Sequence, residues 1–111
     1  MTDFYDFCVM HAQTIVQKLA LSLPEVIELP HFDKPSFRIS KKIFLTHNTK
    51  ENRVCVKLSE LDQSVFCSDP SGSIYPVPNK FGKRGWTLIN LKTVHPDLLK
   101  DAITCAYNHV K

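Results

Sequence analysis

The sequence predicts an α+β domain: an antiparallel sheet with an N-terminal and a C-terminal helix packed on one face. Three observations carry that expectation. Apolar residues recur at spacings of three and four near both ends of the chain. Between those ends, apolar and polar residues alternate over short stretches. The connections between the stretches are brief and rich in turn formers, so sequence neighbours are expected to pair as an antiparallel meander. The 111 residues suit one domain spanning 1–111.

Phe4, Phe7, Cys8, His11, Ile15, Leu19 and Leu23 form the first helical stripe. Thr2 or Asp3 can cap it, Asp3 and Asp6 suit the positive end of its dipole, and Pro24 stops it. Residues 26–29 form a short strand candidate. Over residues 36–40, Phe37 and Ile39 point inward and Arg38 outward. Lys41-Lys42 is a tight polar break, and residues 43–47 make the next strand. Turn formers fill residues 48–52. Residues 53–58 alternate again, with Val54, Val56 and Leu58 inward and Arg53, Cys55 and Lys57 outward. The sheet face bearing Arg38, Arg53 and Lys57 is expected to be exposed.

Ser59 and Asp62 have capping-box spacing at the start of a short helix that ends before Asp69-Pro70. Residues 69–85 hold Gly72, Gly82 and Gly85 with Pro70, Pro76 and Pro78, and read as a long irregular loop, a kind often functional. Residues 86–91 are a near-continuous apolar run, expected as a central strand. Pro96 suits the first position of the last helix and Asp97 its first turn. Leu99, Ile103, Ala106, Tyr107 and Val110 make its inward stripe.

A net charge of +3 and an isoelectric point of about 8.7 permit an anionic partner without demanding one. Cys8, Cys55, Cys67 and Cys105 are widely spaced, and the acidic start of the chain does not resemble a secretory signal. Free thiols in a reducing, cytoplasmic compartment are therefore expected. No apolar run approaches the ~20 residues that cross a bilayer, so no membrane partner is expected.

A family resemblance emerges from an ordered set of segments. These are Leu23-Pro24-Glu25-Val26, Lys34-Pro35-Ser36-Phe37-Arg38-Ile39, Lys41-Lys42-Ile43-Phe44 and Val54-Cys55-Val56-Lys57-Leu58. Tyr75-Pro76-Val77-Pro78, Gly85-Trp86 and the final helix follow. Together they resemble the MmcQ/YjbR family of small bacterial proteins over nearly the whole chain. The resemblance implies a sandwich similar to frataxin (CyaY-like), described for the family as a double-wing DNA-binding fold. It implies no catalytic residue. Frataxin-like folds also suggest iron, held by an acidic ridge near the first helix. Here that helix offers only Asp3 and Asp6, too few carboxylates for a hard cation.

Two binding readings follow from the residues. In the first, Lys34, Arg38, Lys41 and Lys42 surround Phe37, and Lys80, Lys83 and Arg84 surround Phe81 near Tyr75. Cations neutralise phosphates and exposed aromatics stack on unpaired bases, so Arg38, Lys41, Lys42, Lys80, Lys83 and Arg84 are candidate nucleic-acid contacts. The plain counterpart is a solvated surface. In the second, the 69–85 loop and Trp86 form a groove in which Tyr75, Phe81 and Trp86 receive a protein or small ligand. Its counterpart, preferred because tryptophan is usually buried, has Tyr75, Val77 and Trp86 covering one end of the core.

The chemistry-bearing residues assemble no catalytic or metal motif. His31 and Asp33 lie two residues apart and His47 can join them only across strands, which is short of the convergent set zinc needs. His11 reads as a core residue, His95 as serving a helix start and His109 as suiting a helix end. Cys55, flanked by Arg53 and Lys57, is a candidate for a lowered thiol pKa. No phosphate-cradling or nucleophile-elbow motif is present, and a binding module with no cofactor, rather than an enzyme, is expected.

Overall fold

The computed structural model describes residues 15–31 and 34–111. The expected start of the first helix, including Phe4, Phe7, Cys8 and His11, lies outside those residues, as does Asp33. Residues 15–21 are helical and form α1, with Val16 and Ala20 fully buried. The chain turns at Pro24, whose carbonyl accepts a 2.8 Å hydrogen bond from the Tyr107 hydroxyl.

Four strands then form the expected meander: β1 (Ile27–His31), β2 (Lys34–Ile39), β3 (Lys42–Asn48) and β4 (Arg53–Lys57). The helix α2 (Glu60–Cys67), strand β5 (Ile74–Pro76), short helix α3 (Lys80–Lys83), strand β6 (Trp86–Asn90) and helix α4 (Pro96–Val110) follow. The six strands order as β1-β2-β3-β4-β6-β5, every neighbour antiparallel.

Local chemistry explains most boundaries. Ser40 and Lys41 have φ of 53° and 69°, the left-handed pair of a two-residue hairpin turn whose twist suits antiparallel strands. The turn thus uses Ser40 and Lys41, and Lys42 already belongs to β3. Ser59 Oγ accepts from the Asp62 N–H at 3.1 Å and caps α2. His95 Nδ1 accepts from the Asp97 N–H at 3.2 Å and caps α4, with Pro96 in its first turn.

Two expectations are corrected. Residues 69–85 are not irregular: they supply the edge strand β5 and the helix α3, which Asn79 caps by accepting from the Phe81 N–H at 2.9 Å. An edge strand uses its hydrogen-bonding groups on one side only, which is why Pro76 can sit in β5. The strand at residues 86–91 ends at Asn90 and is penultimate, not central. Its apolar run hides an alternation. Thr87 and Ile89 are fully buried, whereas Trp86 and Leu88 are half-buried on the other face.

The core lies between the sheet and the helices. Phe37, Ile39, Phe44, Leu45, Val54, Val56, Ile89 and Ile103 are at most 2% exposed. A bulge brings two consecutive residues inward: Phe37 pairs with Leu45 but Arg38 with Ile43, so Phe44 is extra and both Phe44 and Leu45 are buried. Phe44 meets Tyr107 of α4 edge-to-face at 5.8 Å. Gln63 of α2 donates from Nε2 to Thr87 Oγ1 at 3.1 Å and to the Gly82 carbonyl at 2.8 Å, which ties α2 to β6 and α3. The described helices therefore share one face of the sheet. None of them is long and apolar enough to cross a membrane.

Gly85 has φ of +103°, and a Cβ there would lie 1.9 Å from the Leu58 carbonyl oxygen. Gly85→Ala combines a left-handed backbone with a backbone clash. It should lower stability by about 2–4 kcal/mol, summing a conformational cost of about 1–2 kcal/mol with strain of similar size. A thermal melt shifted by less than ~5 °C would contradict that assignment. His47 is 3% exposed on the core side, paired with Val54, and its Nε2 has no hydrogen-bond partner among the described residues. Burial lowers its pKa below the ordinary 6.5, with the Glu28 carboxylate opposing weakly. The unfolded chain then takes up this proton first as pH falls through 6.5, so the native state loses stability from there downward. The melting midpoint should fall between pH 7.5 and 5, and His47→Leu should flatten that slope.

Candidate functional site

Strand alternation and the cross-strand register define a second face of the sheet, the open face, which none of the described helices covers. One row crosses all six strands: Leu29, Ser36, Thr46, Cys55, Leu88 and Tyr75 are successive cross-strand partners. A parallel row nearer the Ser40–Lys41 turn contains Ile27, Arg38 and Ile43 on β1, β2 and β3, and Lys57 and Trp86 on β4 and β6. On the far side Arg53 pairs with both Asn48 and Asn90. Ile27 and Leu29 are 51% and 42% exposed.

Cations and aromatics interlock on this face. The Lys57 ammonium lies over the Trp86 ring at 5.8 Å and donates to the Arg84 carbonyl. Arg53 donates from a guanidinium nitrogen to the Tyr75 hydroxyl at 3.2 Å and pairs with Glu51 of the preceding turn. Arg38 Nε donates to Ser36 Oγ at 3.3 Å, and that hydroxyl donates to the Leu29 carbonyl at 2.6 Å. These bonds hold three basic side chains in extended, defined positions over the strands.

The sheet topology also gathers the remaining basic residues. β3 begins where β4 ends, and β4 ends where β6 begins. The Ser40–Lys41 turn and the α3 segment therefore emerge at the same end of the sheet. β3 and β6 are two strands apart, a lateral separation of about 10 Å at ordinary strand spacing. Lys41 and Lys42 are exposed on the first projection, and Lys80, Lys83 and Arg84 on the second. Arg38 is half-buried on the open face beside the first projection, and Lys57 with Trp86 lies between the two. All six candidate basic residues thus share one end of the sheet. Glu60 and Asp62, in the first turn of α2, also stand at this end, but on the helix side.

The aromatic candidates divide. Tyr75 and Trp86 are half-buried on the open face and do not close the end of the core, contrary to the preferred sequence reading. Phe81 is 45% exposed on α3, with the Lys80 ammonium 5.8 Å from its ring centroid. A shallow pocket of about 110 Å³ lies at the opposite end of the sheet, lined by Lys34, Asn48, Thr49, Lys50 and Glu51, and includes none of the three aromatics.

Cys55 corrects another expectation. Desolvation pushes its thiol up to about 11, outweighing a backbone hydrogen bond at Thr87 and the cations Lys34 and Arg53. The neighbouring charges were legible in the sequence, but the packing of Cys55 between Thr46 and Leu88 was not. Among the described residues no three His, Cys, Asp or Glu side chains converge as metal ligands. His47 lies on the core side and is not directed at the open face.

Fold and site define a class: a two-layer α+β domain whose sheet keeps one broad face for cations and aromatics, continuous with two basic projections. The YjbR family model matches residues 21–109, and the chain belongs to the YjbR family. The crystal structure of Deinococcus radiodurans protein DR2400, described as a DUF419 domain, is similar with a TM-score of 0.73 at 19% identity. The alignment covers 86% of this chain and 75% of that one, and at that identity it establishes a common fold. A search of curated proteins gave no match.

The hairpin tip yields a stability prediction. A left-handed backbone costs a non-glycine residue roughly 1–2 kcal/mol, and Asn-Gly is the sequence such a turn favours. Ser40→Asn combined with Lys41→Gly should therefore raise the melting midpoint by about 4–8 °C, the shift that about 1 kcal/mol produces in a domain of this size. An unchanged or lower midpoint would show that the tip is not strained.

Proposed function

We propose that the chain is a non-enzymatic binding module of the bacterial cytoplasm that takes DNA weakly and without sequence preference. Arg38, Lys41, Lys42, Lys80, Lys83 and Arg84 supply the phosphate contacts. The observation that carries this reading is the emergence of the basic hairpin tip and the basic α3 segment at one end of the sheet, about 10 Å apart by strand spacing. That separation lets two projections meet phosphates on either side of a groove about 6–12 Å wide.

The backbone of the tip supports the same reading. Lysine occupies a left-handed position, φ 69°, that glycine would hold more cheaply. Local strain retained at an exposed turn is accounted for by what the side chain does there. The acidic residues Glu60 and Asp62 lie behind the sheet and leave the basic surface facing outward.

A groove for a protein or small ligand around Tyr75, Phe81 and Trp86 is the competing reading. Tyr75 and Trp86 are each already engaged by a cation, which suits an anionic partner better than an apolar one.

Fluorescence anisotropy with labelled DNA at ~50 and ~200 mM salt tests the proposal. About five phosphate contacts should give micromolar binding at the lower salt and a log–log salt slope near −4 to −5 on duplex. Charge reversal at Lys41 and Lys42, or at Lys83 and Arg84, should abolish binding with little effect on the melt. No binding at ~50 mM salt would refute the proposal. Binding that ignores salt but is lost with Phe81→Ala would establish the groove instead.

A further inference from the structure

We infer that the open face of the sheet takes a single, unpaired nucleic-acid strand, with bases stacked on Trp86 and Tyr75 and phosphates on the cations beside them. This rests on the nucleic-acid reading above and adds which form of nucleic acid is bound and by which surface.

Charge complementarity is the first argument. Among the described residues, the strand positions directed to the open face include Lys34, Arg38, Arg53 and Lys57 and no carboxylate; Glu51, which pairs with Arg53, comes from the adjoining turn. A polyanion laid across the face thus meets cations on β2 and β4, the two strands that flank β3, without crossing a row of like charge.

The second argument is the kind of surface between those cations. Leu88, Cys55 and Ile43 occupy its middle and the exposed Ile27 and Leu29 its β1 side. Phosphates gain nothing from that apolar area, whereas the faces of unpaired bases do. Tyr75 and Trp86 lie on neighbouring strands, each beside Leu88 or two residues along from it. Aromatic rings on an open sheet are the recurrent way in which proteins hold splayed bases.

The third argument excludes the duplex from this face. Bases inside a duplex are stacked on one another and present only their edges in the grooves. The open face offers side chains lying within a broad sheet, not a helix or ribbon that enters a groove. The projecting Ser40–Lys41 turn and α3 can reach duplex phosphates; Trp86 and Tyr75, half-buried behind them, cannot reach its bases. Lys57, its ammonium 5.8 Å from the Trp86 ring centroid and bonded to the Arg84 carbonyl, is near enough to swing from the ring to the phosphate of a base that takes its place there.

Trp86 is the sole tryptophan, so the protein carries its own reporter. The full chain is titrated at ~50 mM salt with labelled oligo-thymidylate and with a duplex of equal length, following anisotropy and tryptophan emission together. Oligo-thymidylate should quench Trp86 in step with its anisotropy, and duplex should bind without quenching. Trp86→Ala should weaken the single strand ~5- to 100-fold, the range for one lost base stack, and leave duplex affinity unchanged. Trp86→Phe should restore most of the loss. Tyr75→Ala, scored by anisotropy and by quenching of the retained Trp86, provides a second test should Trp86→Ala fold poorly. Single-strand binding with unchanged emission would overturn the stacking mode while leaving phosphate binding intact. So would equal quenching by both forms. Binding of neither form would remove both readings together.

Discussion

The close approach of Gly85 to Leu58 decides where the second half of the chain can lie. The Leu58 N–H donates to the Gly85 carbonyl at 2.9 Å, extending the β4–β6 ladder by one pair beyond Lys57 and Trp86. At that contact no side chain fits, because any Cβ would overlap the Leu58 carbonyl. With β6 locked against β4, β5 is left as the edge and α3 must close the gap between β5 and β6. A second close approach does this: a Cβ on Gly82 would lie 2.0 Å from the Val77 carbonyl oxygen. Gln63 then bridges the two segments from α2. Positions of Arg84, Trp86 and Lys57 follow from these backbone contacts rather than from any attraction among the three side chains.

The first half of the sheet was legible because each signal there is local. Val54 and Val56 alternate with Arg53, Cys55 and Lys57, and the structure buries the first pair and half-exposes the others. Ser59 and His95 announce helix starts by chemistry that acts over two or three residues. The family resemblance rested on segments spread along the chain, and the family match over residues 21–109 agrees with it. The region from 69 to 85 was misread for a physical reason. One of its prolines and two of its glycines are compatible with regular structure only because of long-range geometry: an edge strand for Pro76, close backbone contacts for Gly82 and Gly85. Periodicity cannot reveal such permissions. Pro30 is the parallel case, lying in β1, the other edge of the sheet. Prolines at both edges also blunt the exposed ladders against pairing with other chains.

The candidate site was legible as ingredients and not as an arrangement. Lys41-Lys42 and Lys83-Arg84 stand out in sequence as separate basic clusters more than 40 residues apart. Their approach depends on β6 crossing to lie beside β4, a step of topology that no local pattern encodes. Lys57 escaped notice as a site residue because alternation marks it only as outward-facing; its place over Trp86 arises from the cross-strand register. Cys55 shows the opposite failure. Its neighbours in sequence suggest a reactive thiolate, but desolvation within the Thr46, Cys55, Leu88 row outweighs their charges.

The side-chain bonds of the open face bear on what it can recognise. A flexible lysine or arginine loses rotamer freedom when it takes a phosphate, and that loss offsets part of the attraction. Here Lys57 is already ordered by the Arg84 carbonyl and the Trp86 ring, Arg38 by Ser36, and Arg53 by Tyr75 and Glu51. Their partners are neutral groups except for Glu51, so most of this ordering leaves the positive charge uncompensated. Among the described residues Lys41, Lys42 and Lys83 have no such anchoring and extend into solvent, and Lys80 meets only the ring of the exposed Phe81. The two sets therefore differ in kind: mobile cations on the projections suit diffuse, orientation-tolerant capture of a polyanion, and fixed cations beside aromatic rings suit a strand held in one register. Mobile capture at the end of the sheet and fixed contacts across its face form a continuous path through Arg38, Lys57 and Trp86, which is why one partner for the whole surface is a simpler account than separate partners for its two parts.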